Sequence, residues 1–333
     1  MPSKLKAALQ YLIMIAIMVG LLWLSLGGIQ VAEGQNKSEF IWNTWNRANK
    51  TYLFLMVVAV MLSHVVRAER WKMLLEPTGY SIKIGSSFLS LMIGYLVNIA
   101  IPRGGEVSRC YNLYKLEKTP IEISFGTVVV DRIADLICLV TLIGLSFAVE
   151  WVRLKTFIDT LEFSSTSGSS KVWVLLLVLV VMGGLVGVGY LLRKNQKVQK
   201  IWLGFKEGVM SVFKLRNKGL FIFYSIAIWA LYFLMSYFVM LAFPETQDLG
   251  VSAVLTLFTI GAIAMAAPLP GGAGSYHTLV PLGLVMLYKM PQAEAVAFVF
   301  VFHGWQTLIT ILGGVISLII SYLIVRWRKA PIK

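Results

Sequence analysis

The chain has 333 residues, of which 58% are apolar and only 14% charged, with a mean hydropathy of +0.77. Soluble domains carry charge on about a quarter of their residues, so this balance excludes an ordinary soluble domain. A net charge of +14 would point to nucleic acid in a soluble protein. Here the basic residues fall between apolar runs, so no nucleic-acid partner is expected; such residues mark cytoplasmic loops and favour anionic headgroups.

In chain order, the first apolar run covers residues 8–26, behind Lys4 and Lys6. It resembles a signal peptide, but Ser25-Leu26-Gly27-Gly28 is a poor cleavage site. It reads as an uncleaved first span. Residues 52–66 supply the second span, and residues 67–83 a basic cytoplasmic connection. Residues 84–101 are apolar again, yet 103–118 carry Arg103, Arg109, Lys115 and Lys118. A full crossing by 84–101 would place that segment outside, and by parity the most basic loop as well. A re-entrant hairpin keeps every basic segment inside.

Residues 121–149 form the next span, and the Ser-rich stretch 164–170, without net charge, reads as an outside loop. Residues 172–192 cross again, with Gly183, Gly184 and Gly187 suited to close helix packing. The loop 193–218 is the most basic, with one acid, Glu207, and is cytoplasmic. Spans 220–243 and 293–325 follow. Between them, residues 251–290 are broken at Pro268-Leu269-Pro270-Gly271-Gly272-Ala273-Gly274. Prolines and glycines end one helix and start another, which predicts a second hairpin dipping in from outside.

The predicted fold is an all-α integral membrane protein: about six full transmembrane helices plus two re-entrant helical hairpins, arranged as an inverted repeat. The first membrane repeat takes residues 1–150, with its hairpin at about 84–118. Residues 151–170 form the outside loop, and residues 171–333 the inverted second repeat, with its hairpin at about 251–290. Laying residues 94–109 on 261–276 matches Gly94 with Gly261, Gly104-Gly105 with Gly271-Gly272 and Ser108 with Ser275. Transporters built this way hold their substrate near the midplane, between repeats. Both termini are expected in the cytoplasm, and the membrane is expected to be the bacterial cytoplasmic (inner) one.

The sharpest chemical signal is Pro102-Arg103-Gly104-Gly105-Glu106-Val107-Ser108-Arg109. In a hairpin its tip lies deep in the membrane, and free N–H groups at Gly104 and Gly105 would attract phosphate, aided by Arg103 and Arg109. The structural alternative is that Glu106 and Arg109 simply pair. The following span holds Asp131, Arg132 and Asp135 near the bilayer middle. Charges there are costly unless paired or hydrated. Arg132 and Asp135 are spaced to pair, while Asp131 points elsewhere on the helix. The alternatives are a helix-locking ion pair and a lipid-phosphate or proton-coupling site. With Pro120 laid on Pro291, Arg132 meets His303 and Asp135 meets Gln306. His303 could titrate near neutral pH or be a plain core residue. Gly271 and Gly272 could offer N–H groups to an anion or merely break the helix. Trp23, Trp42, Trp45, Trp71, Trp151, Trp173 and Trp327 fall near span ends, as an interfacial belt does. Cys110 and Cys138 show no metal-ligand spacing, and no cofactor is expected.

The run from Pro102 to Arg109, then Asp131-Arg132, then Pro270-Gly271-Gly272-Ala273-Gly274, resembles the transmembrane, flippase-like region of the bacterial lysylphosphatidylglycerol synthases. In the synthases a soluble aminoacyl-transferase domain follows; here the chain stops at Lys333, so the resemblance implies a free-standing member without the synthase domain. It implies a flippase that moves an anionic or modified phospholipid, or an isoprenoid-phosphate carrier, between leaflets. By that match Arg103, Glu106, Arg109 and Arg132 are headgroup contacts. The second tip departs from the pattern, having neither acid nor arginine. The alternative is an integral-membrane transferase acting on a lipid-linked substrate, with Glu106, Asp131 and Asp135 as its carboxylates. A non-transporting accessory subunit is a third reading. The expected partner is a membrane phospholipid or lipid phosphate, and a homodimer is compatible with the sequence.

Overall fold

The computed structural model describes residues 36–160, 195–266 and 269–328, with 19–20, 23 and 25–27 ahead of them. The described chain is helical, with no strand among the described residues. The predicted span 172–192 with its glycines, the Ser-rich loop 164–170, Trp173 and Pro268 lie outside the described residues, as does most of the first span.

Helix α1 is Lys37–Arg47, capped by the Asn36 side chain on the Ser38 N–H. Helix α2, Lys50–Leu75, is capped in the same way by Asn49 on Thr51. Such caps satisfy N–H groups that have no partner within the helix. Here one sequence expectation fails. The stretch from Arg67 onward is not a basic loop but the last turns of α2, with Arg67, Arg70 and Trp71 buried. The chain turns only after Leu75, through a short 3-10 segment, Glu76–Thr78, and Gly79 at φ 86°. Charge alone suggested a loop; ion pairing makes the buried helix affordable instead.

Helices α3, Ile84–Ala100, and α4, Gly104–Glu117, lie antiparallel. The rungs are Gly105 N donating to Asn98 Oδ1 at 2.8 Å, Asn112 donating to Ser90 at 3.0 Å, and Ser86 with Glu117 at the open end. The approach is close: a Cβ at Gly105 would lie 2.1 Å from the Gly94 carbonyl oxygen. Only glycine fits there. Arg103 makes the turn in the left-handed region, at φ 62°.

Helix α5, Ile121–Thr160, has 40 residues and a non-helical Glu150. It continues into the segment read as an outside loop. Helix α6, Gln196–Met210, occupies the basic stretch also expected to be a loop. It packs on α5 through Gly126 and Gly208, where added Cβ atoms would come within 2.3 and 2.2 Å of opposing carbonyl oxygens. Small residues allow such backbone approach. Its Ile201, Trp202 and Leu203 stay exposed.

The rest is α7, Lys218–Ala242; α8, Gly250–Ala266; the turn Pro270–Gly272; α9, Ser275–Tyr288; and α10, Gln292–Trp327. Helices α8 and α9 also pair antiparallel, with Ser275 Oγ donating to Ala264 O at 2.8 Å and Gly261 facing the Tyr276 ring. Among the described residues, three helical stretches are long and apolar enough to cross a membrane: Lys50–Thr78, Lys218–Ala242 and Gln292–Trp327. Helix α2 lies along α7, and the largest core joins Leu53 and Met56 of α2 to Val239 of α7, Leu284 of α9 and Phe298 of α10. The tips of the two helix pairs meet: a Cβ at Gly271 would sit 3.9 Å from Ile99 Cα.

Candidate functional site

The site begins on α2. Arg67, Arg70 and Trp71 are spaced to share one helix face. On α5, Asp131 and Asp135 do the same, and the two faces meet. Arg70 uses its whole guanidinium. Nε and Nη2 reach Asp131 Oδ1 at 3.0 and 2.6 Å, Nη2 also reaches Asp135 at 2.6 Å, and Nη1 donates to Ser225 at 3.1 Å. Arg67 pairs with Asp135, lies 3.6 Å from Asp131, and donates to the Tyr232 hydroxyl at 2.8 Å. From α4, Arg109 Nη2 comes within 3.3 Å of Asp131, while its guanidinium carbon sits 4.7 Å from the centre of the Trp71 ring. Trp71 is fully buried and donates to Thr127 at 2.9 Å. It is therefore a floor for Arg109 and not part of an interfacial belt.

Asp131 thus faces three arginines with no exposure at all. Arg132, the next residue, projects from another side of α5. It pairs with Glu106 of α4 at 2.8 Å and Asp135 at 3.7 Å, and its side chain is 41% exposed. Across the cluster, four arginines stand against three carboxylates, leaving one net positive charge. Burying charge this deeply is tolerated only when partners compensate the lost hydration. The cluster has a saturated floor around Asp131 and an open rim at Arg132. Near the rim, Glu106 Oε2 and Arg109 Nε and Nη1 are buried without a hydrogen-bond partner.

Of the residues expected at a site, Glu106, Arg109, Asp131, Arg132 and Asp135 come together. The alternative in which Glu106 simply pairs with Arg109 does not occur: Glu106 turns to Arg132 and Arg109 to Asp131. Arg103 is exposed at the turn, with no ion pair among the described residues. The N–H groups at Gly104 and Gly105 are not free for an anion, since Ile101 O takes the first at 2.9 Å and Asn98 Oδ1 the second. At the other tip, Gly272 N is likewise taken by Leu269 O at 3.1 Å. Tight turns consume these donors internally. His303 and Gln306 form a separate group with Gly271: His303 faces the Gly271 backbone, and Gln306 reaches the Met235 sulfur at 3.9 Å. Among the described residues no hydrogen bond or ion pair joins this group to the arginine cluster.

Sequence reading missed Arg67, Arg70, Trp71, Tyr232 and Ser225. The helical spacing of the first three, directly continuing an apolar helix, was the available signal.

The family model described as lysylphosphatidylglycerol synthase TM region matches residues 11–314. The chain belongs to this family. The match takes in both helix pairs and every residue of the arginine cluster. Among curated relatives, UPF0104 membrane protein MJ1595 of Methanocaldococcus jannaschii is 37% identical over 90 residues, 26% of this chain and 27% of that one. Glycosyltransferase AglD of Haloferax volcanii is 24% identical over 296 residues, 79% of this chain and 47% of that one. UPF0104 membrane protein MJ1078 of Methanocaldococcus jannaschii is 26% identical over 201 residues, 60% of this chain and 81% of that one. The chain spans less than half the length of the first two. No solved structure matches the chain significantly. Membership in this family and the long apolar helices make it a multi-pass membrane protein of the synthase transmembrane type.

Proposed function

We propose that the protein moves an anionic or modified phospholipid, or an isoprenoid-phosphate carrier, between leaflets by alternating exposure of a midplane site. The observation that carries this reading is the open rim of the arginine cluster, where half-exposed Arg132 is held by Glu106. A guanidinium is suited to phosphate oxygens. An arriving phosphate competes with the Glu106 carboxylate for Arg132, so binding exchanges one anion for another and stays reversible. The floor around Asp131 holds the helices that carry the rim. Arg103, exposed at the turn, supplies a second donor.

A second support is the correspondence of the two halves. Helices α3 and α8 both have 17 residues, α4 and α9 both have 14, and α4 and α9 both end on a left-handed lysine, Lys118 at φ 59° and Lys289 at φ 58°. Matched from their first residues, α4 and α9 set Gly104 on Ser275 and Ser108 on Leu279, so the sequence match of Ser108 with Ser275 is not kept: the turn before α9 is longer than the one before α4. Each helix pair also packs on the last helix of the opposite half. Met92 and Leu96 of α3 meet Gly314 of α10, and Thr259 of α8 lies 2.5 Å from Ser146 of α5. We read this as an inverted repeat whose helix pairs are re-entrant. At 1.5 Å per residue, α3 is about 25 Å long, short of a hydrocarbon core of about 30 Å. Such pairs flank the substrate path in transporters of this plan.

The test is lipid movement in proteoliposomes carrying a fluorescent phosphatidylglycerol. Wild type should move it, and Arg132→Ala should lose most of that rate while unfolding at an unchanged temperature. Full movement by a folded Arg132→Ala protein would defeat the assignment.

The match to a protein named as a glycosyltransferase, over 79% of this chain, supports a second reading, a transferase acting on a lipid-linked substrate. Purified protein with a labelled sugar donor and a lipid acceptor separates the two, since transport leaves no covalent product.

A further inference from the structure

The second half holds two buried histidines in contact. The rings of His277 on α9 and His303 on α10 lie 4.8 Å apart at 88°. Both residues are buried, at 5% and 7% exposure. Among the described residues the His277 Nδ1 finds no hydrogen-bond partner. His277 also lines a cavity of about 240 Å³, together with the polar side chains of Ser25, Thr278 and Gln292 and an apolar wall from Leu282 and Val285.

The position of this pair gives it meaning. The register that lays Pro120 on Pro291 also lays the start of α4, Gly104, on the start of α9, Ser275, and Lys118 on Lys289. In that register Arg132 falls on His303 and Glu106 on His277. The two positions are in contact in both halves: as an ion pair at 2.8 Å in the first, and as two imidazoles meeting edge to face in the second. A further contact recurs when the helix starts Lys50 and Lys218 are superposed. Arg67 then falls on Met235, and the Arg67–Asp135 ion pair becomes the Met235–Gln306 contact. The second half keeps the geometry of the rim and replaces its permanent charges with groups that can gain them.

We propose that His277 and His303 form a second anion site, for the phosphate of a lipid headgroup, which takes up a proton as it fills. Two imidazoles this close cannot both be charged without an anion beside them, because like charges repel strongly at that separation. A phosphate entering the cavity reverses that balance and draws a proton onto the pair. The empty site is neutral and the filled site carries the compensating charge. A fixed arginine would instead leave a bare charge in the membrane whenever the site emptied, which is costly.

Among the described residues neither histidine has an ion pair. Tyr276 stacks on His303 at 5.1 Å and Phe300 contacts His277 at 4.4 Å. The Gly271 backbone faces His303, and Ser25 Oγ donates to the His277 carbonyl at 2.6 Å. Helix α8 carries no charged residue. Glu150 and Arg153 of α5 sit around Tyr288, at the far end of α9. Arg47 of α1 is paired with Glu245 at 2.8 Å, and Glu294 stands in the first turn of α10.

The proposal rests on the transporter reading for its role but not for its binding chemistry, so binding is measured directly. Purified full-length protein in detergent is titrated with inorganic phosphate and with short-chain phosphatidylglycerol in buffers of different ionisation enthalpy. About one proton should be taken up per phosphate group bound at the histidine pair, and the affinity of that site should strengthen about tenfold per pH unit as pH falls through the histidine range. Uptake with the lipid alone supports a headgroup site, and uptake with both ligands supports recognition of the phosphate itself. Absence of proton uptake with either overturns the proposal. His303→Gln should abolish the pH-linked component. Because His303→Gln could disturb folding, His303→Arg serves as the second variant: it should bind the same ligands without pH dependence, as the arginine at the matching position would. A pH-linked component that persists in a folded His303→Arg protein overturns the proposal. Proton-linked binding without lipid movement in proteoliposomes would sink the transporter reading alone.

Discussion

Arg70 grips a single carboxylate oxygen of Asp131 through two nitrogens, at 3.0 and 2.6 Å, and neither side chain has any exposed surface. The contact ties α2 to α5 in the interior, and it makes Asp131 the common counter-charge for Arg67, Arg70 and Arg109. Removing that carboxylate leaves Arg109 without an ion-pair partner and makes Arg67 and Arg70 share Asp135 alone. Asp131→Ala should therefore cost about 3–5 kcal/mol of stability. Asp135→Ala should cost less, since its side chain is 14% exposed. Thermal unfolding in detergent reads the difference; equal losses would show that Asp131 is not the centre of the cluster.

The rim should behave in the opposite way. Arg132 is half exposed, so its pair with Glu106 should contribute no more than about 1 kcal/mol to stability. Glu106→Gln should leave the melting temperature nearly unchanged. It should tighten binding of phosphatidylglycerol, because the competing carboxylate is gone. Calorimetric titration in detergent tests this, and weaker binding would mean that Glu106 contacts the headgroup favourably.

The α3–α4 approach depends on glycine. A Cβ at Gly105 would strike the Gly94 carbonyl oxygen and the Asn98 side chain, whereas one at Gly85 would meet nothing within 4 Å. Gly105→Ala should cost about 1–3 kcal/mol through overpacking, and Gly85→Ala, on the same pair of helices, should be close to neutral. A melt of the two variants side by side decides it.

Trp71 supports Arg109 by its ring face and α5 by its indole N–H. Trp71→Phe keeps a ring but loses the hydrogen bond to Thr127, which should cost about 1 kcal/mol. Trp71→Ala opens a cavity in a fully buried site and should cost about 3–5 kcal/mol. A similar small cost for both would place Trp71 at an interface with lipid, contrary to its burial.

Much of the site was legible one residue at a time. Glu106, Arg109, Asp131, Arg132 and Asp135 stood out because charge inside apolar sequence is costly and has to be compensated. Their partners did not stand out. Pairing by spacing alone favoured Glu106 with Arg109, but each found a partner on α5 instead. Arg67 and Arg70 were hidden by the rule that basic clusters mark loops. That rule holds for charges left in water, and these are buried against carboxylates.

The amino-acid sequence by itself determined that this is a helical membrane protein. It also determined the breaks at Pro102–Gly105 and Pro270–Gly274, because proline and glycine act locally. It carried the family membership in the order of its short motifs. Only the tertiary structure decided that Arg70 and Asp131 face each other, that the N–H groups of Gly104, Gly105 and Gly272 are already used, and that His277 meets His303. Those contacts join residues on different helices, and which faces meet depends on how close the glycines let the backbones come and on which charges must be neutralised together.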